Sequence, residues 1–193
     1  MQSADVLPGV PLAEGGRITA LFGDRGIADF AAAARYLRRL PFGRVSERAN
    51  LALVVTEGRG TCATKHALLA RLAAEQGIDA ALTLGIYEMS ERNTPGVGPV
   101  LDTYGLPYIP EAHCYLAYAG ERVDITSEAT WAEPIVTLLH EESISPEQID
   151  DYKRGVHRQF LDRWRERSPD AAGYGLDELW RIREECIAAL STG

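Results

Sequence analysis

The sequence has no lysine-rich run and no basic stripe, and its formal net charge at pH 7 is -8. Nucleic acid, whose phosphates call for clustered cations, is therefore not expected as a partner. No apolar run is long enough to span a bilayer, so no membrane partner is expected. Residues 1–16 carry neither a basic start nor a long apolar stretch, so no signal peptide is expected. Three cysteines, widely spaced at 62, 114 and 186, make no disulfide framework. Internal repeats and low-complexity segments are missing too. These absences point to a cytoplasmic protein with reduced thiols. What is present, 193 residues with 46% hydrophobic and 25% charged side chains, suits one domain with a substantial core.

Residues 1–16, rich in Pro, Gly and small residues, read as an extended lead-in. Asp24 to Leu40 reads as a helix, with Ile27, Phe30, Ala31, Ala34 and Leu37 in helical period, Asp24 or Asp29 near the start and Pro41 after the end. A second helix is expected from Cys62 to Gln76, striped by Leu68, Leu69 and Leu72 and stopped at Gly77. The period then changes. Ala80 to Tyr87 reads as a strand, and Asn93 to Pro110, with four prolines and three glycines, as a loop long enough to act as a lid. His113 to Ala119 and Glu121 to Thr126 form a hairpin about Gly120, and Ile135 to Leu139 reads as a further strand. Ser145-Pro146-Glu147-Gln148 is a helix start, with an N-cap serine, proline at the first helical position and glutamine for a capping box. That helix is expected to turn Ile149, Tyr152, Val156, Phe160 and Trp164 inward, and a last helix covers Leu176 to Leu190. The order predicts one α+β domain over 1–193: a lead-in (1–16), a core with an antiparallel sheet (26–126) and a C-terminal helical region (134–193).

Cys62 is the residue with the most chemical potential. It ends Glu57-Gly58-Arg59-Gly60-Thr61-Cys62, where a glycine-rich loop gives way to a helix. A helix start concentrates unsatisfied backbone N–H groups and the positive end of the macrodipole, and both favour thiolate over thiol. A thiol nucleophile needs a base within hydrogen-bond reach and gains from a carboxylate that orients the base. His113 and Asp124 are the candidates. The alternatives are a packed thiol, a structural histidine and a strand-end aspartate bonded to local backbone.

The hairpin makes the candidate triad specific. Side chains alternate faces along a strand, so an even turn puts His113 and Asp124 on one sheet face and an odd turn separates them. With Ala119-Gly120 as the turn, Asp124 faces Tyr115 and lies diagonal to His113. With Gly120-Glu121 the face is kept but the two residues are further apart. Asp102 and Glu111 are rival acids, placed in the loop rather than on the partner strand. His66, four residues after Cys62, is a rival base that is expected to pack or be solvated on the helix. A zinc reading would gather Cys62, His66, His113 and Cys114, but strand neighbours 113 and 114 point to opposite faces, so no metal is expected. Cys114 and Cys186 read as core and helix-face residues. The Gly58/Gly60 pair lacks the Lys-Ser/Thr of a phosphate loop, and no calcium loop or cofactor motif is present.

Gly60-Thr61-Cys62-Ala63-Thr64-Lys65-His66-Ala67-Leu68-Leu69-Ala70, then Gly77-Ile78-Asp79-Ala80 and a strand, resembles the core of the transglutaminase-like superfamily. There a G-x-C opens a helix that ends in a G-I turn, a strand with His follows, and the next strand carries Asp-x-Thr. His113 and Asp124-Ile125-Thr126 match in order, and the resemblance covers about Phe30 to Thr126. It implies a papain-like core, with the nucleophile helix packed on an antiparallel sheet and additional C-terminal helices. It also implies cysteine-dependent acyl chemistry on a peptide, protein or small amide substrate: Cys62 attacks to form a thioester, His113 shuttles the proton and Asp124 orients it. Water as acceptor gives hydrolysis, and an amine gives acyl transfer. The chain departs from the family in having no Trp upstream of Cys62 to hold the oxyanion; Asn50 and Tyr36 are the nearest stand-ins. The alternatives to an enzyme are a binding or scaffold protein on the same fold and a thiol-redox-sensitive protein. Oligomeric state is not legible.

Overall fold

The structure, a computed structural model, describes residues 4–128, 135 and 137–190. It is an α+β arrangement with a four-stranded antiparallel sheet in the order β3-β2-β1-β4. The helices are α1 (Arg17–Gly23), α2 (Phe30–Arg39), α3 (Leu53–Thr56), α4 (Cys62–Glu75), α5 (Gly98–Thr103), α6 (Asp151–Arg165) and α7 (Leu176–Ala189). The strands are β1 (Ala80–Met89), β2 (Ile109–Tyr118), β3 (Glu121–Val123) and β4 (His140–Ser143). The chain divides into two compact units: Met1–Leu84, Cys114–Ala129 and Glu142–Asp150 form the first, and Gly85–His113, Thr130–Glu141 and Asp151–Gly193 the second. Strand β1 passes from the first to the second between Leu84 and Gly85, and β2 returns between His113 and Cys114.

In the first unit α4 is the central element, with α1, α2, α3 and the 3-10 turn Pro146–Ile149 against it. Leu68, Leu69 and Leu72 are fully buried as their spacing predicts, but so are residues on the other faces, from Ala63 to Ala73 with only Arg71 excepted. A helix enclosed on all sides must be nearly apolar all round or satisfy its polar groups internally. Thr64, Lys65 and His66 are the polar groups that this enclosure has to satisfy.

The expected helix over 24–40 is two helices. Asp29 caps α2, its Oδ1 accepting the Ala32 N–H at 2.7 Å, while Asp24 caps the C-terminus of α1. The glycines at 23 and 26 break the run between them. Helix α1 is started by a distant group: the Glu75 carboxylate accepts the N–H of Ile18 at 2.9 Å and of Thr19 at 2.8 Å. The lead-in is held as well, since the Gln76 side chain bonds both the N–H and the C=O of Ala13.

In the second unit, the segment expected as a loop over 93–110 contains α5, and its last two residues already belong to β2. Helix α5 is docked on α7: the Tyr104 hydroxyl just after it donates to Glu185 at 2.8 Å, and Arg181 crosses the Tyr104 ring at 5.4 Å. The expectation of a lid gives way to an anchored helix. The capping box at Ser145 and Gln148 forms, but it starts a 3-10 turn rather than the long helix. The chain breaks at Asp150 (φ -107, ψ -98) and α6 begins in a new phase. The inward face of α6 is therefore His157, Leu161 and Trp164; Tyr152 is 43% exposed, and Val156 and Phe160 are half-buried. Within the stretch expected as a strand, Ile135 and residues 137–139 are outside any strand and Val136 lies outside the described residues; β4 follows at 140–143. As an edge strand made of His, Glu, Glu and Ser, β4 is short and polar, which blunts edge-to-edge pairing.

Candidate functional site

Cys62 is the first residue of α4 and is half-buried. The start of the helix is built by a reciprocal cap. Thr61 Oγ1 accepts the Thr64 N–H at 3.4 Å, and Thr64 Oγ1 accepts the Thr61 N–H at 3.0 Å. Gly60 is required by close approach, because a Cβ there would stand 2.8 Å from Lys65 Cγ and 3.1 Å from Val54 Cγ1. The neighbouring segment is pinned alongside, with the Gly60 N–H donating to Pro41 O at 3.1 Å and the Gly43 N–H to Gly60 O at 3.3 Å.

The hairpin has the even turn on which the triad depends. Tyr118 pairs with Glu121, Ala117 with Arg122 and Leu116 with Val123. The turn is Ala119-Gly120, both at positive φ (49° and 82°), the arrangement of a two-residue turn that matches strand twist. The paired ladder ends at Val123, and Asp124 is the next residue. Along β2, His113 occupies the alternate position from Tyr115, on the same strand face.

Asp124 is buried in the first unit, just beyond β3. Its Oδ1 accepts the Thr126 N–H at 2.8 Å and the Thr126 hydroxyl at 2.6 Å. This local turn is the strand-end arrangement weighed for an aspartate at this position. Two consecutive residues of α4 then hold the same segment. His66 Nε2 accepts the Ile125 N–H at 2.8 Å, and Lys65 Nζ donates to Thr126 O at 2.8 Å. The other His66 nitrogen, Nδ1, lies 2.7 Å from the Cys62 carbonyl oxygen. Only an imidazole with its proton on Nδ1 satisfies both bonds. Asp124 Oδ1 is 3.6 Å from Nε2, a contact that would be an ion pair only with a protonated ring. His66 is fully buried and joins two backbone groups.

Lys65 has no solvent exposure. Its Nζ also donates to Leu40 O at 2.5 Å, at the end of α2. Burial pulls its ammonium down to about 8, against the opposing pull of negative charge on Cys62 and Asp124. Lys65 thus sits one helical turn from Cys62 and holds Thr126, two residues from Asp124. The sequence marks Lys65 only by its place three residues after Cys62, on the adjoining helix face, and by its being one of two lysines among the twenty Lys and Arg residues; neither shows that it is enclosed.

His113 is buried on the second unit's segment of β2, its ring edge-on to Tyr87 with centroids 6.0 Å apart. Glu111, expected in a loop, is on the same strand and is committed elsewhere. It takes a two-pronged bond from Arg183 of α7, at 2.6 and 2.5 Å, with His157 Nε2 3.9 Å from its Oε2. Burial opposes ionisation there, but the Arg183 guanidinium overrides it and holds the Glu111 carboxyl down at about 2. Asp102 lies on α5. Cys114 and Cys186 are fully buried, and burial pushes the Cys186 thiol up to about 11. The Tyr36 hydroxyl, one stand-in for the oxyanion donor, accepts from Arg25 at 3.3 Å.

Among the described residues, no three His, Cys, Asp or Glu side chains are grouped so as to hold a metal ion, and no helix is long and apolar enough to cross a membrane. A cavity of about 550 Å³ opens in the first unit between Leu12, Thr19, Asp24 and Ile27, and none of Cys62, His113 or Asp124 lines it. Comparison with family models, curated proteins and solved structures returns no match, so local geometry carries the functional argument.

Proposed function

We propose that this chain performs cysteine-dependent acyl chemistry on an amide substrate, with Cys62 as nucleophile, His113 as proton shuttle and Asp124 as the orienting carboxylate. The observation that carries the reading is the hairpin register. The two-residue turn at Ala119-Gly120 is even, as the reading requires, with Leu116 paired to Val123. Cys62 at the first position of α4 supports it further, because the helix start favours a thiolate. A papain-like core of transglutaminase type is the fold reading that goes with it, supported by the order nucleophile helix, β1, then β2 with His113 and the Asp-x-Thr after β3.

In this mechanism the Cys62 thiolate attacks the amide carbonyl carbon, and the C=O electron pair moves onto oxygen. The Cys62 N–H donates to that oxyanion. Collapse breaks the C–N bond, and the His113 imidazolium gives its proton to the departing amine, leaving a thioester. His113 then takes a proton from water or an acceptor amine as that group attacks the thioester. The products are a free acid or a new amide, with the thiol restored.

The test is trapping with a library of electrophilic amides and esters, read by mass on the Cys62 peptide. The expected result is an acyl adduct on Cys62 that forms faster than on the urea-unfolded chain and more slowly in His113→Ala. Equal rates on folded and unfolded chain would overturn the proposal. A partner retained by Cys62→Ala would instead favour a binding module.

A further inference from the structure

We propose that Lys65 is a positioning residue that supplies the positive charge shared by the Cys62 sulfur and the Asp124 carboxylate, and so ties the ionisation of the thiol to its own. The assignment rests on Cys62 being the reactive group of the proposed function, but it needs neither a substrate nor His113.

The chain contains two lysines against eighteen arginines. A buried site that needs only a permanent cation is better served by arginine, which is less strongly hydrated and does not lose its proton. Lysine occurs here at a position with no solvent exposure, one helical turn after Cys62. Two of its three N–H donors are fixed by carbonyls from separate segments, Leu40 at the end of α2 and Thr126 beyond β3. Carbonyls orient an ammonium without neutralising it. Cys62 stands three residues before it on its own helix, and Asp124 stands two residues before Thr126, which it holds; each carries negative charge when ionised and then favours the ammonium. Of the other groups packed near it, His66 is neutral by its hydrogen bonds, Gly60 brings only backbone and α2 brings the Leu40 carbonyl. A cation so placed has one purely structural task, joining α2 to the Asp-x-Thr segment, and one electrostatic task toward the thiol. Its titration near 8 makes the electrostatic task measurable, because coupled groups shift one another reciprocally.

Two measurements test the proposal. In the first, the rate of Cys62 alkylation by iodoacetamide is followed against pH in the native chain and in Lys65→Met. Loss of the cation is expected to raise the half-rate pH by about one unit. In the second, the Lys65 side-chain resonance of lysine-labelled chain is titrated in the native protein and in Cys62→Ala. Lys153, the other lysine, serves as the internal reference. Removing the thiolate is expected to lower the Lys65 midpoint by a similar amount. Cys62→Ala alters a half-buried position, so this arm decides the matter if Lys65→Met does not fold. An unmoved Lys65 midpoint, or an unmoved alkylation profile in folded Lys65→Met, overturns the proposal and leaves Lys65 a strut between backbone segments. Neither arm uses an acyl substrate, so a failed trapping experiment and a failed Lys65 experiment are told apart.

Discussion

The ring of His66 accepts the Ile125 N–H at Nε2, 2.8 Å away, while its Nδ1 proton is directed at the Cys62 carbonyl oxygen at 2.7 Å. One side chain therefore bonds backbone groups on both the helix that begins at Cys62 and the segment carrying Asp124. His66→Leu keeps the volume but leaves the buried Ile125 N–H without this partner, at a cost of about 1–3 kcal/mol. Urea unfolding is expected to show a clear drop in midpoint. An unchanged midpoint would show that this N–H finds another partner.

Cys62 is half-buried, whereas Cys114 and Cys186 have no exposure. Iodoacetamide at neutral pH is expected to label Cys62 first, with a half-rate pH below that of an ordinary thiol, and His113→Ala is expected to slow the labelling while the fold persists. Peptide mapping by mass reads the order of labelling. Labelling of Cys62 no faster than in the unfolded chain would count against an activated thiol.

The hairpin turn offers a geometric test. Inserting one glycine between Ala119 and Gly120 makes the turn odd and sends either Asp124 or His113 to the opposite face. Any advantage of Cys62 in alkylation that depends on His113 and Asp124 is then expected to vanish, whereas Ala119→Gly keeps the register. Ala119 adopts φ 49°, so the glycine variant relieves strain of about 1 kcal/mol and is expected to raise the thermal midpoint.

Acid should weaken the second unit through His157. Burial, opposed by the Glu111 charge, holds this imidazole down to about 4. Below its unfolded value of 6.5 the unfolded chain binds a proton that the native chain refuses, so stability falls as pH drops from about 6.5 to 4. The loss is on the order of 3 kcal/mol once the native ring protonates. Urea titrations at stepped pH are expected to show this slope, and His157→Phe is expected to flatten it.

The Glu111–Arg183 pair is buried on both sides. Removing one partner alone, as in Arg183→Met, strands a charge and is expected to cost about 3–5 kcal/mol. The double variant Glu111→Met/Arg183→Met is expected to recover most of that loss. Chemical denaturation of the two singles and the double gives the coupling directly, and additive losses would refute it.

What could be read in advance was local. Cys62–Glu75 follows from an apolar stripe and a glycine stop, and the hairpin from a single glycine between two strands. The strands on either side of Gly120 allow an even or an odd turn, and the turn is the even Ala119-Gly120. What could not be read depends on distant partners. Helix α1 is nucleated by Glu75, more than fifty residues away, so its own sequence of Gly16 and Arg17 carries no capping signal. Helix α5 hides among prolines and glycines and is secured by α7. The face of α6 was misread because the break at Asp150 shifts the helical phase. At the site, the residue types of the triad were visible, but Lys65 was not, since nothing in a helical pattern marks a lysine as enclosed.

The grip of Lys65 and His66 on Ile125 and Thr126 joins residues 59 and 61 positions apart. Those bonds cannot exist until residues past 126 have been made and the hairpin has closed. During synthesis, the Cys62 thiol would leave the ribosome without the carboxylate that later accompanies it. The surroundings of Cys62 in the finished chain are therefore completed only after the hairpin that follows it has been made.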